Sequence, residues 1–349
     1  PYLNLFESLG TINDRYTNIS RISPTGGNGF FSLVFTADDI ITNQKVILKF
    51  FNPLFSLDRD RLDRFHREGD ILKLLKGQDN IVECIDGVCT VSIELFTASG
   101  LNVPRQQFEF IPTKKAHTDI ECLIYNNVLS PIRCIEYFKE MCKGVHRIHS
   151  RKICHRDIKP NNFFLFPKHD VRLGDFGTAK LLDGSMPDIR NSYLLAVGHK
   201  HYLAPEILCQ IGIADNISYL SDIFALGAVL FELFSQQVLY QHIYSTKVLN
   251  KIFLLRETLS NMSLKNRIDT YVGVIDTIES SVNAPNIYDF NSFVPKSIRS
   301  IINTLYRDLT RFDFSKRLND FQTIHRRLDI CLLILRNQEK YIRWTTRKR

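Results

Sequence analysis

A dense group of polar residues separates two apolar segments near the middle of the chain. The stretch ICHRDIKPNNFFLF, Ile153 to Phe166, carries Asp157, Lys159 and Asn162 between apolar ends. Asn162 follows Asp157 by five residues, and the segment LGDFG places Asp175 eighteen residues after Asp157. Each motif alone could arise by chance, but their order and spacing together predict one chemical site.

Two isolated charges lie in apolar surroundings earlier in the chain. Lys49 stands inside the strand-like run VILKFF, and Glu68 shares one helical face with Phe65, Leu72 and Leu75. A buried charge without a partner costs several kcal/mol, so the two are expected to pair with each other. The alternative is that Lys49 reaches solvent and Glu68 lies at the edge of the apolar face.

A glycine-rich stretch, GGNGFFSLV at residues 26–34, precedes the strand that carries Lys49. It lacks the G-x-x-x-x-G-K-[ST] pattern of a P-loop, and no helix follows it, so neither a P-loop nor a dinucleotide-binding turn is predicted. Glycines between two strands let the backbone approach a ligand closely, although most glycine clusters are simply turns.

Together these motifs resemble those of a eukaryotic-type protein kinase, closest to the serine/threonine group. The resemblance rests on HRDIKPNN, on DFG at residues 175–177 and on APE at residues 204–206, and it covers nearly the whole chain. It implies an α+β, bilobal fold. Residues 1–111 would form a small β-rich N-lobe with one main helix, and residues 112–349 a larger, mostly helical C-lobe.

The resemblance implies a role for each polar residue in transfer of the γ-phosphate of ATP to a protein hydroxyl. Asp157 would receive the hydroxyl proton and Lys159 would steady the γ-phosphate. Lys49 would hold the α- and β-phosphates with Glu68 as its partner. The implied magnesium ligands are Asn162 and Asp175, whose oxygen atoms suit Mg²⁺.

The resemblance also implies a nucleotide-binding surface. The glycine loop would comprise Gly27, Gly29, Ser32 and Val34, with Ser32 where the family has a third glycine. Glu109 and Phe110 resemble the hinge segment that binds the adenine edge through backbone groups. Ile47 replaces the family's alanine and predicts a tighter adenine pocket.

Several other residues match the family in structural positions. Asp222 resembles the helix aspartate that fixes the backbone of the catalytic loop, although a helix cap explains it nearly as well. Arg317 resembles the late arginine that pairs with Glu206. His199 replaces the family's usual threonine near the catalytic aspartate, which leaves acceptor choice and activation open.

Three other functions are weaker interpretations. A pseudokinase that binds ATP and a partner is disfavoured because the residues that the family uses for transfer are all present. These are Lys49, Glu68, Asp157, Asn162 and Asp175. A small-molecule kinase is disfavoured by the long segment between Asp175 and Glu206, which resembles a platform for protein substrates. Specific nucleic-acid binding lacks a recognisable reading motif.

The elements that must position these residues follow from the surrounding patterns. Strand-like runs dominate up to residue 111, interrupted by a helix predicted over Asp58–Lys76 with Asp58 as its cap and Gly77 just beyond its end. Helical periodicity dominates from Ser130 onward. The longest apolar run, Ile223–Phe234, is too short for a membrane span and predicts a buried helix.

Composition adds broader expectations. The net charge is +8 with a basic cluster at residues 343–349, which is either a solvated tail or a site for an acidic partner such as nucleic acid, an anionic membrane or an acidic substrate. Eight cysteines include a C-x4-C pair, Cys84 and Cys89, without a second pair at zinc spacing. Reduced thiols and no recognisable secretory signal in residues 1–20 predict a cytoplasmic protein.

A phosphorylation switch is the last expectation. Arg156 lies directly before Asp157. Kinases that carry an arginine at this place commonly need a phosphate to order the site. Ser192 and Tyr193, twelve and eleven residues before Ala204, stand where such a phosphate usually falls. The alternative is a segment that is ordered without phosphate.

Overall fold

The chain divides into two units, and the division differs from the predicted one. The computed structural model describes residues 2–22, 32–96, 102–126, 129–182, 198–211, 215–290 and 294–347. One unit comprises Pro1–His117 and Gly174–Gly177, and the other comprises Thr118–Leu173 and Thr178–Arg349. The predicted boundary after Ile111 is wrong because it would cut a strand that runs to Lys114.

Alternating apolar residues build a six-stranded antiparallel sheet in the first unit. Its order is β1-β2-β3-β4-β6-β5. The strands are β1 (Thr11–Ile12), β2 (Tyr16–Arg21), β3 (Ser32–Asp39), β4 (Gln44–Phe51), β5 (Cys89–Phe96) and β6 (Asn102–Lys114). Val46, Leu48 and Phe50 of β4 are buried in the core, so Ile47 and Lys49 point to the opposite face of the sheet.

Two helices belong to the first unit: α1 (Tyr2–Glu7) and α2 (Arg59–Leu74). The helix predicted over Asp58–Lys76 is confirmed, because the Asp58 side chain accepts a hydrogen bond from the Arg61 amide at its start. Gly77 lies just past its end with φ of 76°, which glycine adopts at little cost. Glu68 of α2 is 4% exposed, as its place on the apolar face predicts.

The second unit is mainly helical. Its helices are α3 (Ile120–Asn126), α4 (Pro131–His149), α5 (Pro205–Leu208), α6 (Asp215–Ser235), α7 (Tyr240–Ile243), α8 (Thr246–Ser260), α9 (Leu264–Glu279), α10 (Arg299–Leu309) and α11 (Phe321–Arg347). Its strands are β7 (Thr118–Asp119), β8 (Ile153–Cys154), β9 (Phe163–Phe166), β10 (Asp170–Leu173) and β11 (Lys180–Leu181). A β-rich first unit and a helical second unit agree with the predicted α+β class.

Helix α6 forms the centre of the second unit. Within it, Ile217–Ser235 is long and apolar enough to cross a membrane by composition, but 89% of that stretch is buried inside the protein. A helix that is apolar on all sides is typical of a protein core. The helix is longer than the apolar run from which it was predicted because Asp215–Asp222 adds two turns of mixed polar and apolar residues.

Candidate active site

The first unit brings three charged residues of the motifs together. Lys49 Nζ lies 2.7 and 2.8 Å from the two carboxylate oxygens of Glu68 and 2.9 Å from Asp175 Oδ1. Strand β4 supplies Lys49, helix α2 supplies Glu68, and the segment Gly174–Gly177 supplies Asp175. The predicted pairing of Lys49 with Glu68 is therefore confirmed.

The shared ammonium group governs the electrostatics of this cluster. Burial disfavours the charge of Lys49, but the attraction of Asp175 and Glu68 outweighs it and raises the pKa of Lys49. Burial raises the pKa of Glu68, and the nearby Asp175 carboxylate adds to that effect against the attraction of Lys49. Two carboxylates and one ammonium leave a net negative charge, which suits the binding of a cation.

The backbone around Asp175 is closely confined. Asp175 has φ of 58°, a left-handed conformation that aspartate and asparagine adopt more readily than most residues other than glycine. A Cβ atom on Gly177 would lie 3.4 Å from Glu68 Oε2 and 3.7 Å from Asp175 Oδ1. A Cβ atom at residue 177 would therefore reach van der Waals contact with both carboxylates of the cluster.

In the second unit, Asp157 is held by several donors at once. Lys159 Nζ lies 2.7 Å from Asp157 Oδ2, and the backbone N–H of His199 donates to Oδ1 at 2.7 Å. Asn162 Nδ2 donates to the Asp157 carbonyl at 2.8 Å and to Oδ2 at 3.3 Å. The structure thus brings together Asp157, Lys159 and Asn162 and fixes the direction of the Asp157 carboxylate.

A buried aspartate anchors the loop that carries Asp157. Asp222 of α6 accepts the backbone N–H groups of His155 and Arg156, each at 2.8 Å, and bonds His149 Nε2 at 2.9 Å. Burial alone would raise the pKa of Asp222, but His149 and the backbone donors outweigh it and lower the pKa. The predicted role of Asp222 in fixing the loop backbone is confirmed, and the helix-cap alternative is not needed.

His199 contacts Asp157 through its backbone, which sequence reasoning missed. The preceding Gly198 has φ of 114°, and a Cβ atom there would lie only 2.5 Å from the Arg156 carbonyl oxygen. The glycine permits a close approach that directs the His199 N–H to the carboxylate. In the sequence, only the adjacent glycine and histidine of VGHKHY could have indicated this backbone contact.

The predicted pair of Arg317 and Glu206 is also confirmed. Arg317 Nη1 and Nη2 donate to the two oxygens of Glu206 at 2.6 and 3.0 Å, and both side chains are fully buried. Arg317 also donates to the carbonyls of Leu220 and Arg311. This network joins α5, α6 and the segment before α11 within the second unit.

The nucleotide-binding residues are only partly described. Gly27, Gly29, Ser192 and Tyr193 lie outside the described residues. Ser32 begins β3, and Val34 lies opposite Lys49 in the register of β3 and β4.

The assignment of Glu109 and Phe110 to the hinge is wrong. Both lie inside β6, where Phe110 is paired with β4 and β5 and is fully buried. The Phe110 backbone is used in the sheet on both sides and cannot bind an adenine edge, and both residues precede the end of the strand at Lys114. The Glu109 side chain instead contacts His66 of α2 at 2.8 Å.

Each unit contains one oxygen donor of the kind that Mg²⁺ prefers: the carboxylate of Asp175 in the first and the amide of Asn162 in the second. The Asp175 side chain is 44% exposed and supplies a carboxylate. The Nδ2 atom of Asn162 is engaged with Asp157, which leaves its amide oxygen as the available ligand. Among the described residues no group of three or more His, Cys, Asp or Glu is placed to hold a metal, and Cys84 and Cys89 are free thiols.

Comparison with known proteins gives consistent results. A model of the protein kinase domain matches residues 21–327. An extracellular signal-regulated kinase 1 of Dictyostelium discoideum is 26% identical over 94% of this chain and 59% of its own length. Mitogen-activated protein kinases of Nicotiana tabacum and Oryza sativa are each 25% identical, over 93% and 91% of this chain and over 80% and 79% of their own lengths.

Proposed function

The chain belongs to the protein kinase family, and from this premise we propose which residues carry its reaction. It is a protein serine/threonine kinase, a transferase, and the relatives named above are kinases of that type. The substrates are ATP and a protein hydroxyl. The assignments below rest on the contacts within each unit together with the family's chemistry.

In the first unit, Lys49 would bind the α- and β-phosphates of ATP. Its ammonium already contacts two carboxylates, so Glu68 can orient it while Asp175 turns to a cation. Mg²⁺, when bound, supplies positive charge that offsets the charge of the phosphates. Asp175 is the ligand that the first unit offers, and the amide oxygen of Asn162 is the ligand that the second unit offers.

In the second unit, Asp157 would accept the proton of the attacking hydroxyl. Its carboxylate is oriented by Lys159 and by the His199 N–H, so little reorganisation precedes the proton transfer. Lys159 also places a positive charge where the negative charge of the transferred phosphoryl group develops. Asn162 fixes the loop by bonding the Asp157 carbonyl.

Serine and threonine hydroxyls are the proposed acceptors, and transfer to the chain's own hydroxyls is expected to occur. A pseudokinase is disfavoured because Lys49, Glu68 and Asp175 are in mutual contact. The single observation that carries the proposal is this contact of one lysine with both carboxylates. The family match gives this contact its functional meaning, because protein kinases place a paired lysine of this kind on the phosphates of ATP.

Regulation by phosphate at Ser192 or Tyr193 stays a prediction. Arg156 has φ of 68°, and its backbone N–H is bonded to Asp222, so its position is fixed on one side. A phosphate would bring about −2 charge and three acceptor oxygens to this arginine. Replacing Ser192 by Ala and Tyr193 by Phe should then leave the enzyme at its low initial rate, without the rise in rate that the wild type shows after preincubation with ATP.

A cytoplasmic location is also proposed. It is supported by eight free thiols, which are typical of reducing compartments. Fractionation of cells that express the full protein would test it, and recovery in an oxidising compartment would contradict it.

The activity is tested directly with labelled ATP. The purified chain is incubated with ATP labelled at the γ-phosphate and with a mixed protein substrate, with Mg²⁺ or with a chelator. We expect label on serine and threonine in the presence of Mg²⁺ only. Phosphotyrosine as the main product would overturn the acceptor assignment, and no transfer in either condition would favour the pseudokinase.

A further inference from the structure

The last helix extends beyond the part of the second unit that buries it. In α11 the apolar residues Ile324, Leu328, Cys331 and Leu335 are buried in the unit. From Arg336 to Arg343 every residue is exposed. This end continues the packed part of the helix, and it contacts the rest of the unit through Arg336 with Glu136 and through Gln338 with Ser297.

A second apolar stripe follows the exposed side of α11. Ile330 is 44% exposed, Leu333 62% and Tyr341 67%. At 3.6 residues per turn they fall within about 80° of one another, on a side away from the buried face. Asn337 lies between them as the one polar residue of the stripe. These three large side chains therefore share one exposed face of the helix.

A basic ridge borders this stripe. Arg336, Lys340 and Arg343 recur at helical spacing along its edge. Residues 336–349 hold six basic residues and one acidic residue, Glu339, so their net charge is +5. Arg336 contacts Glu136 at 2.8 Å, and Arg343 lies 3.8 Å from Glu339. Lys340 and the basic residues near the end of the helix therefore supply most of the excess positive charge beside the apolar stripe.

We propose that the end of α11, residues 330–347, binds an anionic lipid surface. An apolar stripe beside a basic ridge suits a helix that lies in the membrane interface, with its apolar side chains among the acyl chains and its basic groups at the lipid phosphates. A second copy of this chain is a poorer occupant because its own basic ridge would repel this one. Nucleic acid would satisfy the charges but leave the stripe in water.

Tryptophan fluorescence makes the proposal easy to test. The chain has a single tryptophan, Trp344, three residues after Tyr341. The full chain is titrated with phosphatidylcholine vesicles that either contain or lack phosphatidylserine, and both tryptophan emission and co-sedimentation are measured. We expect a blue shift and co-sedimentation with the anionic vesicles. No binding, or equal binding to both vesicle types, would overturn the proposal.

Two double variants test the ridge and the stripe separately. Lys340→Glu with Arg343→Glu should weaken partitioning by about a hundredfold. Leu333→Ser with Tyr341→Ser should weaken it by about tenfold or more. Matched controls carry the same changes at exposed positions of α8 and α9: Lys247→Glu with Lys265→Glu, and Leu254→Ser with Leu264→Ser. We expect the controls to bind as the wild type does.

The remaining outcomes are also decisive. If the charge control loses binding as fully as the ridge variant, the attraction is general and the proposal fails. If duplex DNA competes for the wild type while the stripe variant binds vesicles normally, the surface is a polyanion site and not a lipid site. Phosphoryl transfer in solution should be unchanged in all four variants, so failure here is distinguishable from failure of the kinase assignment.

Discussion

The two units hold their chemical residues in different ways. In the first, Lys49 holds Glu68 and Asp175 through charge. The residues proposed to bind ATP and Mg²⁺ there are also the residues that position one another. In the second, Asp157 is positioned by groups outside the reaction: the backbone N–H of His199 and a loop anchored by Asp222. In the second unit, the residue proposed to react and the residues that position it are therefore different, whereas in the first unit they are the same.

This difference predicts how substitutions divide between stability and turnover. Buried anchors in the second unit should affect the free energy of unfolding, because removing one partner leaves a buried charge or backbone donor unsatisfied. The charged cluster of the first unit should mainly affect turnover, because its members can change protonation when one partner is lost.

The largest expected effect is on stability, from Arg317→Met in the second unit. It leaves the Glu206 carboxylate fully buried without its cation, so the free energy of unfolding should fall by about 3–5 kcal/mol. Urea denaturation followed by circular dichroism measures this. The double variant Arg317→Met with Glu206→Leu should recover part of the lost stability. If Arg317→Met is as stable as the wild type, the buried ion pair does not stabilise the second unit.

Lys49→Met should lower turnover by about a hundredfold or more, since it removes a positive charge that would bind phosphate in the transition state. Its free energy of unfolding should change less than that of Arg317→Met, because Glu68 can then take up a proton. Steady-state kinetics and denaturation on the same preparation give both values. A loss of stability as large as that of Arg317→Met would remove the contrast between the units.

Glu68→Gln should lower turnover by about tenfold, because Lys49 loses the charge of one orienting partner. The pKa of Glu68 is raised, so its titration stabilises the fold below pH 4.5 and that contribution is lost as pH rises through the folded-state pKa. The wild type should therefore gain stability relative to the glutamine variant as pH falls from 7 to 4. Denaturation at several pH values tests the sign, which a lowered pKa would reverse.

The smallest effect is expected at His199. His199→Thr should change turnover by less than about threefold, under 1 kcal/mol, because the backbone N–H contacts Asp157. Gly198→Ala is the matched variant and should cost at least about tenfold, since its Cβ atom would meet the Arg156 carbonyl oxygen. Equal losses in the two variants would show that the imidazole matters as much as the backbone contact does.

The candidate catalytic residues could be proposed from the sequence because the chemistry limits which residue types can serve. Lys49 and Glu68 were placed together because two charges on apolar faces need partners. The hinge could not be placed from the sequence. Pro112 suggests that the strand ends near Ile111, but β6 continues through Pro112 to Lys114. The Pro112 carbonyl accepts from Ile85 on the side where the β5 ladder has ended, so the missing N–H costs no sheet bond.

Contacts made by the backbone, or by short elements that depend on distant packing, were also missed. The bond from the His199 amide to Asp157 leaves no trace in residue type. Helix α1 has six residues and holds its place through Phe6, whose ring stacks 4.3 Å from that of Phe50. Such a helix depends on tertiary packing more than on its own sequence.

One measurement tests the central claim most directly: turnover, ATP affinity and the free energy of unfolding of Asp157→Asn, compared with Asp222→Asn. Asp157→Asn should lower turnover by about a hundredfold or more while its affinity for ATP with Mg²⁺ stays within about threefold and its stability within about 1 kcal/mol. Asp222→Asn should lower both turnover and stability, because two buried backbone donors lose a carboxylate acceptor. Turnover of Asp157→Asn equal to that of the wild type would contradict the account.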